Sequence, residues 1–195
     1  MPLSLLVEEE QHDQYPTNLS WVSFLKYYAK RYEVDAPYVL NRQFIYSFKE
    51  GNAMPAIDNL FIKEINNRKL VNPGKEFWLC CIPASKVQRS HTRFRQFCQR
   101  IATSSQINNG YDMVQPNKDR LEVHIGASRD YSQILSCIDF KQIEGKYILL
   151  CDDVATTGKT FRLVGNHLMR LGAKKVFGIM LAKTHWLEED NAFTI

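Results

Sequence analysis

At 195 residues, 45% of them hydrophobic and 24% charged, the chain has the make-up of one globular domain, large enough to bury a core without disulfides or structural metals. Its net charge of +4 is mild; it suits an anionic small molecule, and no basic cluster gives the footprint of a nucleic-acid partner. Five cysteines without ligand-type spacing, a start that turns acidic where a leader would stay apolar, and no apolar run of spanning length exclude a disulfide scaffold, a signal peptide and a membrane span; the expectation is a cytoplasmic protein.

In chain order, Trp21, Phe24, Leu25, Tyr28 and Tyr32 fall at helical spacing and predict a core-facing helix. Phe44–Phe48 reads as a strand closed by the polar residues 49–52. After Pro55, the stripe Ile57, Leu60, Phe61 and Ile65 predicts a second helix, ended by an Asn-Pro-Gly turn at 72–74. Phe77–Ile82 predicts a buried strand that runs into the short loop Pro83-Ala84-Ser85-Lys86. The following helix carries Phe94, Phe97, Cys98 and Ile101 on one face. Of its arginines, Arg100 fits a solvated face, whereas Arg89 and Arg93 divide evenly between solvation and a role at the loop.

Residues 103–128 are polar and turn-rich, and a loop of that length in a compact domain is expected to be a lid or disordered. Val123 and Ile125 suit a short lid hairpin, and His124 has no visible partner in sequence. Tyr131, Ile134, Leu135 and Ile138 predict a short helix. Phe161, Val164, Leu168 and Leu171 line a longer one, stopped by Gly172 in C-cap fashion. Residues 175–182 predict a third buried strand, after which Lys183-Thr184-His185-Trp186 offers an aromatic that either packs or stacks on a ligand. Strands alternating with helices imply a doubly wound, mostly parallel α/β sheet with ligand loops at the carboxyl ends of its strands.

The most informative stretch is residues 147–160. Tyr147–Cys151 suits a strand buried on both faces, and it meets two adjacent carboxylates, Asp152 and Asp153. The turn Thr156-Thr157-Gly158-Lys159-Thr160 and a helix follow. This order gathers backbone amides, hydroxyls and a helix N-terminus where a phosphate can sit. The acids beside it suit sugar hydroxyls or a hydrated metal. Gly158-Lys159-Thr160 also looks like the end of a P-loop, but a P-loop needs glycine where this chain has Asp153, whose charge would repel a triphosphate.

Ile148–Thr160 resembles the phosphoribosyl-pyrophosphate (PRPP) signature of type I phosphoribosyltransferases, with Ala155 where a larger aliphatic residue is usual. The threonines at 156 and 157 are most similar to the ComF type, although the chain has no four-cysteine zinc module, and Arg93 and Arg95 flank Phe94 where that pattern favours Gly and Asn. Hypoxanthine-guanine enzymes are similar in the Gly-Lys-Thr ending but carry an Asp at the position of Thr156, and its absence argues against that purine chemistry.

The resemblance implies one domain over residues 1–195, with residues 1–70 forming a hood of N-terminal helices over the acceptor and 75–185 the core. It implies transfer of the 5-phosphoribosyl group from PRPP to a nitrogen nucleophile, a nucleobase or amine, with release of pyrophosphate. Asp152 and Asp153 would be the catalytic acids, holding the ribose hydroxyls directly or through Mg²⁺ and its waters. Ala155, Thr156, Thr157, Gly158, Lys159 and Thr160 would bind the 5′-phosphate, and Ala84, Ser85, Lys86 and Arg89 the pyrophosphate. Lys118, Arg120 and Arg129 would reach the pyrophosphate from a mobile lid. A homodimer is one expected assembly. By this reading Asp153→Asn abolishes PRPP binding or turnover and leaves the fold intact. The alternatives are a PRPP- or nucleotide-sensing protein without turnover, and a hydrolase using the same pocket.

Overall fold

The computed structural model describes residues 6–14, 19–120 and 132–187. In chain order they form β1 (Glu10–Gln14), β2 (Leu19–Tyr28), α1 (Ala36–Lys49), α2 (Pro55–Val71), β3 (Phe77–Cys81), α3 (Val87–Ser105) and β4 (Asn108–Asn109). A 3-10 turn at Tyr111–Met113 leads into β5 (Val114–Pro116), then α4 (Ser132–Ser136), β6 (Ile138–Phe140), β7 (Tyr147–Ala155), α5 (Lys159–Arg170) and β8 (Lys175–His185). One six-stranded sheet has the order β1-β2-β8-β7-β3-β4, and β5 with β6 makes a separate antiparallel pair. In the large sheet only β1 runs antiparallel to its neighbour.

Both faces of this sheet are covered. On one, Ile45 and Phe48 of α1, Ile57, Phe61 and Ile65 of α2, and Phe94, Phe97 and Ile101 of α3 pack on Leu79, Leu149, Cys151, Ile179 and Leu181. On the other, Phe161, Val164 and Leu168 of α5 pack on Trp21, Ile148, Leu150, Val176 and Met180, joined by Val114 and Ile138 of the small pair. The architecture is therefore the doubly wound α/β sandwich that alternating strands and helices imply. Arg100 is not merely solvated: it forks onto Asp58 at 2.9 and 3.2 Å and ties α3 to α2.

Three sequence expectations fail for identifiable reasons. Residues 19–28 are a strand, not a helix; β2 lies between β1 and β8 with Trp21, Val22, Phe24 and Leu25 all buried. Burial on both faces removes the alternation that marks a strand, and the remaining apolar residues happen to fall at i, i+3 and i+4. Residues 19–28 thus belong to the main sheet rather than to a helical hood. Phe44–Phe48 is helical, the last part of α1, which starts with Pro37 in its first turn and buries Asn41, Ile45 and Phe48 one turn apart. Five residues taken alone could not reveal that period.

The third concerns the loop expected over residues 103–128, of which 121–128 lie outside the described residues. Most of residues 103–120 is ordered: α3 continues to Ser105, turns at Gln106 with φ 52°, and passes through β4, the 3-10 turn and β5. Val123, His124, Ile125, Arg129 and Tyr131 lie outside the described residues. Ile134 and Leu135 are in α4, and Ile138 opens β6 instead of ending a helix.

Candidate functional site

Because β2, β3, β7 and β8 are parallel, their carboxyl ends share one rim. Cys81 is in register with Cys151, and the amide of Ile82 donates to the Cys151 carbonyl at 2.8 Å. Loop 83–86 therefore leaves the sheet beside the acidic pair. Strand β7 does not stop at those acids, as the sequence suggested; it runs through them to Ala155, paired with β8 on either side of Asp153. The alternative side of the ladder explains this: β8 supplies hydrogen bonds for those backbone groups, so two charged residues do not end the strand.

Beyond Ala155 the chain turns at Gly158, φ 70°, and α5 begins at Lys159. Thr156, Thr157 and Lys159 are exposed, Thr160 is half-buried, and Ala155 and Gly158 are buried beneath them. No side chain caps α5, and its first internal bond is from the Arg162 amide to the Gly158 carbonyl, 2.9 Å. The turn is an open shelf of hydroxyls and amides at a positive helix end, suited to an anion. Two recesses, one lined by Phe140, Ile143, Lys146 and Leu171 and one by Arg68, Phe77 and Lys175, flank the amino-terminal ends of β7 and β8, away from this rim.

The acids differ in surroundings. Asp152 is half-buried, and its Oδ1 accepts from the Asp153 amide at 2.8 Å. Burial first, and the Asp153 charge second, push the Asp152 carboxyl up from its ordinary 3.8 to about 8; the Asp153 amide, Arg93 and Lys49 pull the other way. Asp153 is 6% exposed. One of its oxygens accepts from the Val154 amide at 2.5 Å, and the other is paired with the Arg93 guanidinium. Arg93, on α3, is thus the partner of the second acid rather than a merely solvated side chain.

The raised carboxyl of Asp152 has a pH signature. Between about pH 4 and pH 8 the folded chain keeps a proton that the unfolded chain releases. Its contribution to stability is therefore full below about pH 4 and is lost as pH rises through about 8. Asp152→Asn removes this dependence. In thermal melts at about pH 5 and about pH 9, the wild type should lose roughly 2–4 °C or more relative to the variant. Parallel pH profiles for the two proteins would show that Asp152 is ionised throughout.

At loop 83–86, Ala84, Ser85 and Lys86 are half-buried and Arg89 exposed. A residue that sequence reasoning missed stands here: Asp119 accepts from the Val87 amide at the start of α3, 2.9 Å, and lies 3.3 Å from Lys86 Nζ. The Val87 amide first, then Lys86, hold its carboxyl below the usual range. Arg120, expected on a lid, instead donates its amide to Ser85 O at 2.7 Å and its guanidinium to Pro83 O at 2.6 Å. Lys118 is exposed beside them. Nothing in the spacing of residues 118–120 signalled that they fold back onto a loop more than thirty residues upstream.

On the opposite flank of the phosphate shelf, Lys183 is in register with Ala155, and His185 lies two residues further along β8. Glu10 of β1 approaches both, at 3.8 Å from Lys183 Nζ and 3.0 Å from His185 Nε2. Burial lowers the His185 imidazole below its ordinary value, Glu10 opposing. Trp186 is 42% exposed. Glu10 was missed because its strand pairs with β2, itself misread as a helix.

A mostly parallel α/β sheet with its loops gathered at the carboxyl rim is the architecture of a protein that binds its ligand at that edge. Residues 61–191 match the phosphoribosyl transferase domain, and the chain belongs to that family of transferases. No curated protein sequence matches it. Among solved structures it is similar to a hypoxanthine-guanine-xanthine phosphoribosyltransferase, with 16% identity, TM-score 0.37, and 65% of this chain and 62% of that chain covered. It is also similar to a purine phosphoribosyltransferase from Pyrococcus horikoshii, with 14% identity, TM-score 0.37, and 84% and 80% covered. A hypoxanthine phosphoribosyltransferase from Staphylococcus aureus gives 14% identity, TM-score 0.37, and 68% and 74% covered. The chain spans less than two thirds of the first of these, and likenesses this distant carry nothing about the acceptor.

Proposed function

We propose that the chain transfers the 5-phosphoribosyl group of PRPP to a nitrogen acceptor with release of pyrophosphate. One observation carries this reading: the acidic pair, the exposed Thr-Gly shelf at the start of α5, and loop 83–86 leave adjacent strands at one rim. In the reaction the C1–O bond to pyrophosphate breaks, its electron pair leaving with pyrophosphate. The C1–N bond forms, and the nitrogen gives up a proton. Positive charge develops on the sugar, so the protein's task is positioning and electrostatic stabilisation. The shelf 155–160 anchors the 5′-phosphate, Asp152 faces the sugar, and Lys86 and Arg89 with the amides of 84–86 receive pyrophosphate once Asp119 yields its place. Lys183, His185 and Trp186 flank the shelf on the side left for the acceptor.

The fit of a protein-held Mg²⁺ is poor. Asp153 has both oxygens engaged, one by a guanidinium, and among the described residues no group of three His, Cys, Asp or Glu is placed to hold a metal. Mg²⁺ enters this reading only as the counter-ion that PRPP brings on its own pyrophosphate. The threonines at 156 and 157 support a ComF-like subtype, while Arg93 sets the chain apart from it. A cytoplasmic location is supported by five free, buried cysteines, with burial holding the thiols of Cys80, Cys81 and Cys151 well above their usual range. Among the described residues no helix is long and apolar enough to cross a membrane. A homodimer remains part of the proposal, with no role for nucleic acid.

The test is a panel of nucleobases, ammonia and glutamine with PRPP and Mg²⁺, following pyrophosphate. Release with one acceptor is the expected result, and absence of PRPP binding in calorimetry overturns the reading. PRPP binding without release for any acceptor favours the second reading, a PRPP-sensing protein, for which the carboxylate occupying the pyrophosphate loop speaks. Thr157→Val should weaken PRPP about tenfold through loss of one hydroxyl donor to a charged phosphate. An unchanged isotherm would remove Thr157 from the shelf.

A further inference from the structure

The contact between Arg93 and Asp153 joins residues sixty positions apart at the centre of the rim. It is shielded, with side-chain exposures of 13% for Arg93 and 9% for Asp153. The guanidinium is held from behind as well: Arg93 Nε lies 3.4 Å from the Lys49 carbonyl at the end of α1. The corner after α1 presses on the same turn of α3, since a Cβ at Gly51, φ 84°, would lie 2.3 Å from the Thr92 carbonyl oxygen. Phe94, the next residue, is buried and fixes the helix face. Arg93 is therefore placed by three elements, α1, α3 and β7, and its charge is permanent.

A divalent cation at an acidic pair is held through one or two carboxylates with open oxygens, waters completing a near-regular shell. Here Asp153 offers none, Asp152 has one oxygen on a backbone amide, and a fixed positive charge stands beside them. Bringing a second cation against that guanidinium costs Coulomb energy in a half-desolvated site.

We propose that Arg93 takes the place of a divalent cation at this acidic pair: it is a positioning residue that neutralises Asp153, leaves Asp152 to meet the sugar, and makes sugar-phosphate binding independent of metal held by the protein. The sugar arm of this proposal rests on the phosphoribosyl reading above; the ion arm does not.

The experiment has two readouts on the whole chain. The first is Mn²⁺ titrated into the ligand-free protein and followed by electron paramagnetic resonance. The wild type and Arg93→Lys should leave the free-ion signal unchanged, whereas Arg93→Gln should gain a Mn²⁺ site that Asp153→Asn in the same background removes. The second is calorimetry with ribose 5-phosphate, which lacks the pyrophosphate that brings its own metal, in chelator and in Mg²⁺. The wild type and Arg93→Lys should bind alike in both, and Arg93→Gln should bind about tenfold more weakly in chelator, with recovery in Mg²⁺. A stoichiometric Mn²⁺ site in the wild type, lost in Asp152→Asn, overturns the proposal, as does wild-type ribose 5-phosphate binding that requires Mg²⁺. A wild type that binds no ribose 5-phosphate in either buffer overturns the phosphoribosyl reading, and the Mn²⁺ readout still decides the role of Arg93. Should Arg93→Gln fail to fold, the wild type and Arg93→Lys decide it between them.

Discussion

Asp153→Asn should lower the stability of the chain by about 3 kcal/mol or more, because it leaves a shielded guanidinium without its counter-charge. For a domain of this size that is a fall of roughly 6–12 °C in the melting temperature. The sequence alone led to another expectation, loss of binding with the fold intact, since an acid in a ligand motif is ordinarily free to change. The structure makes the same residue part of the packing between β7 and α3. A double variant separates the causes: Asp153→Asn with Arg93→Met removes both charges and should recover most of the lost stability. Chemical denaturation of the two single variants and the double variant measures the coupling. A single variant that melts with the wild type would show that the pair is solvated and weak.

Gly178→Ala should cost about 2–3 kcal/mol by overpacking. A Cβ built there lies 2.5 Å from Trp21 Cβ, 2.7 Å from Phe161 Cε2 and 2.9 Å from Met180 Cε. Trp21 is opposite Gly178 in the β2–β8 register, so it is held by ladder hydrogen bonds and cannot simply swing away. Phe161 is fully buried in the first turn of α5. Any outward shift of Phe161 moves the shelf at 156–160, so PRPP affinity should fall along with stability. Urea denaturation and PRPP calorimetry on the same variant check both halves. Wild-type values in both would mean that β2 and α5 have slack at this point, contrary to their close approach.

What the sequence made legible follows from how each segment is buried. Strand β3 and the apolar first parts of β7 and β8 are continuous runs, and α2, α3 and α5 show one apolar face, so these patterns were legible, whereas the polar ends of β7 and β8 were not. Strand β2 was lost because burial on both faces erases periodicity, and α1 because its buried residues span Asn41 to Phe48 and include a polar one. The rim loops were legible as motifs since their chemistry is local: hydroxyls, glycine and acids within a dozen residues. Its electrostatics were not. Arg93 reaches Asp153, Asp119 reaches Val87 and Glu10 reaches His185 only after the sheet has ordered its strands, and no spacing encodes those meetings.

The position of β2 in the sheet has a consequence for synthesis. Its parallel partner is β8, whose last residue is His185, so β2 must wait until β3, β7 and the helices between have been made. Until β8 emerges, the apolar residues of β2 have no neighbour on that side, and closing so large a loop is slow and exposed to misassociation. A nascent chain halted before β8 lacks the strand that joins β2 to β7, so its sheet is completed only in that late step.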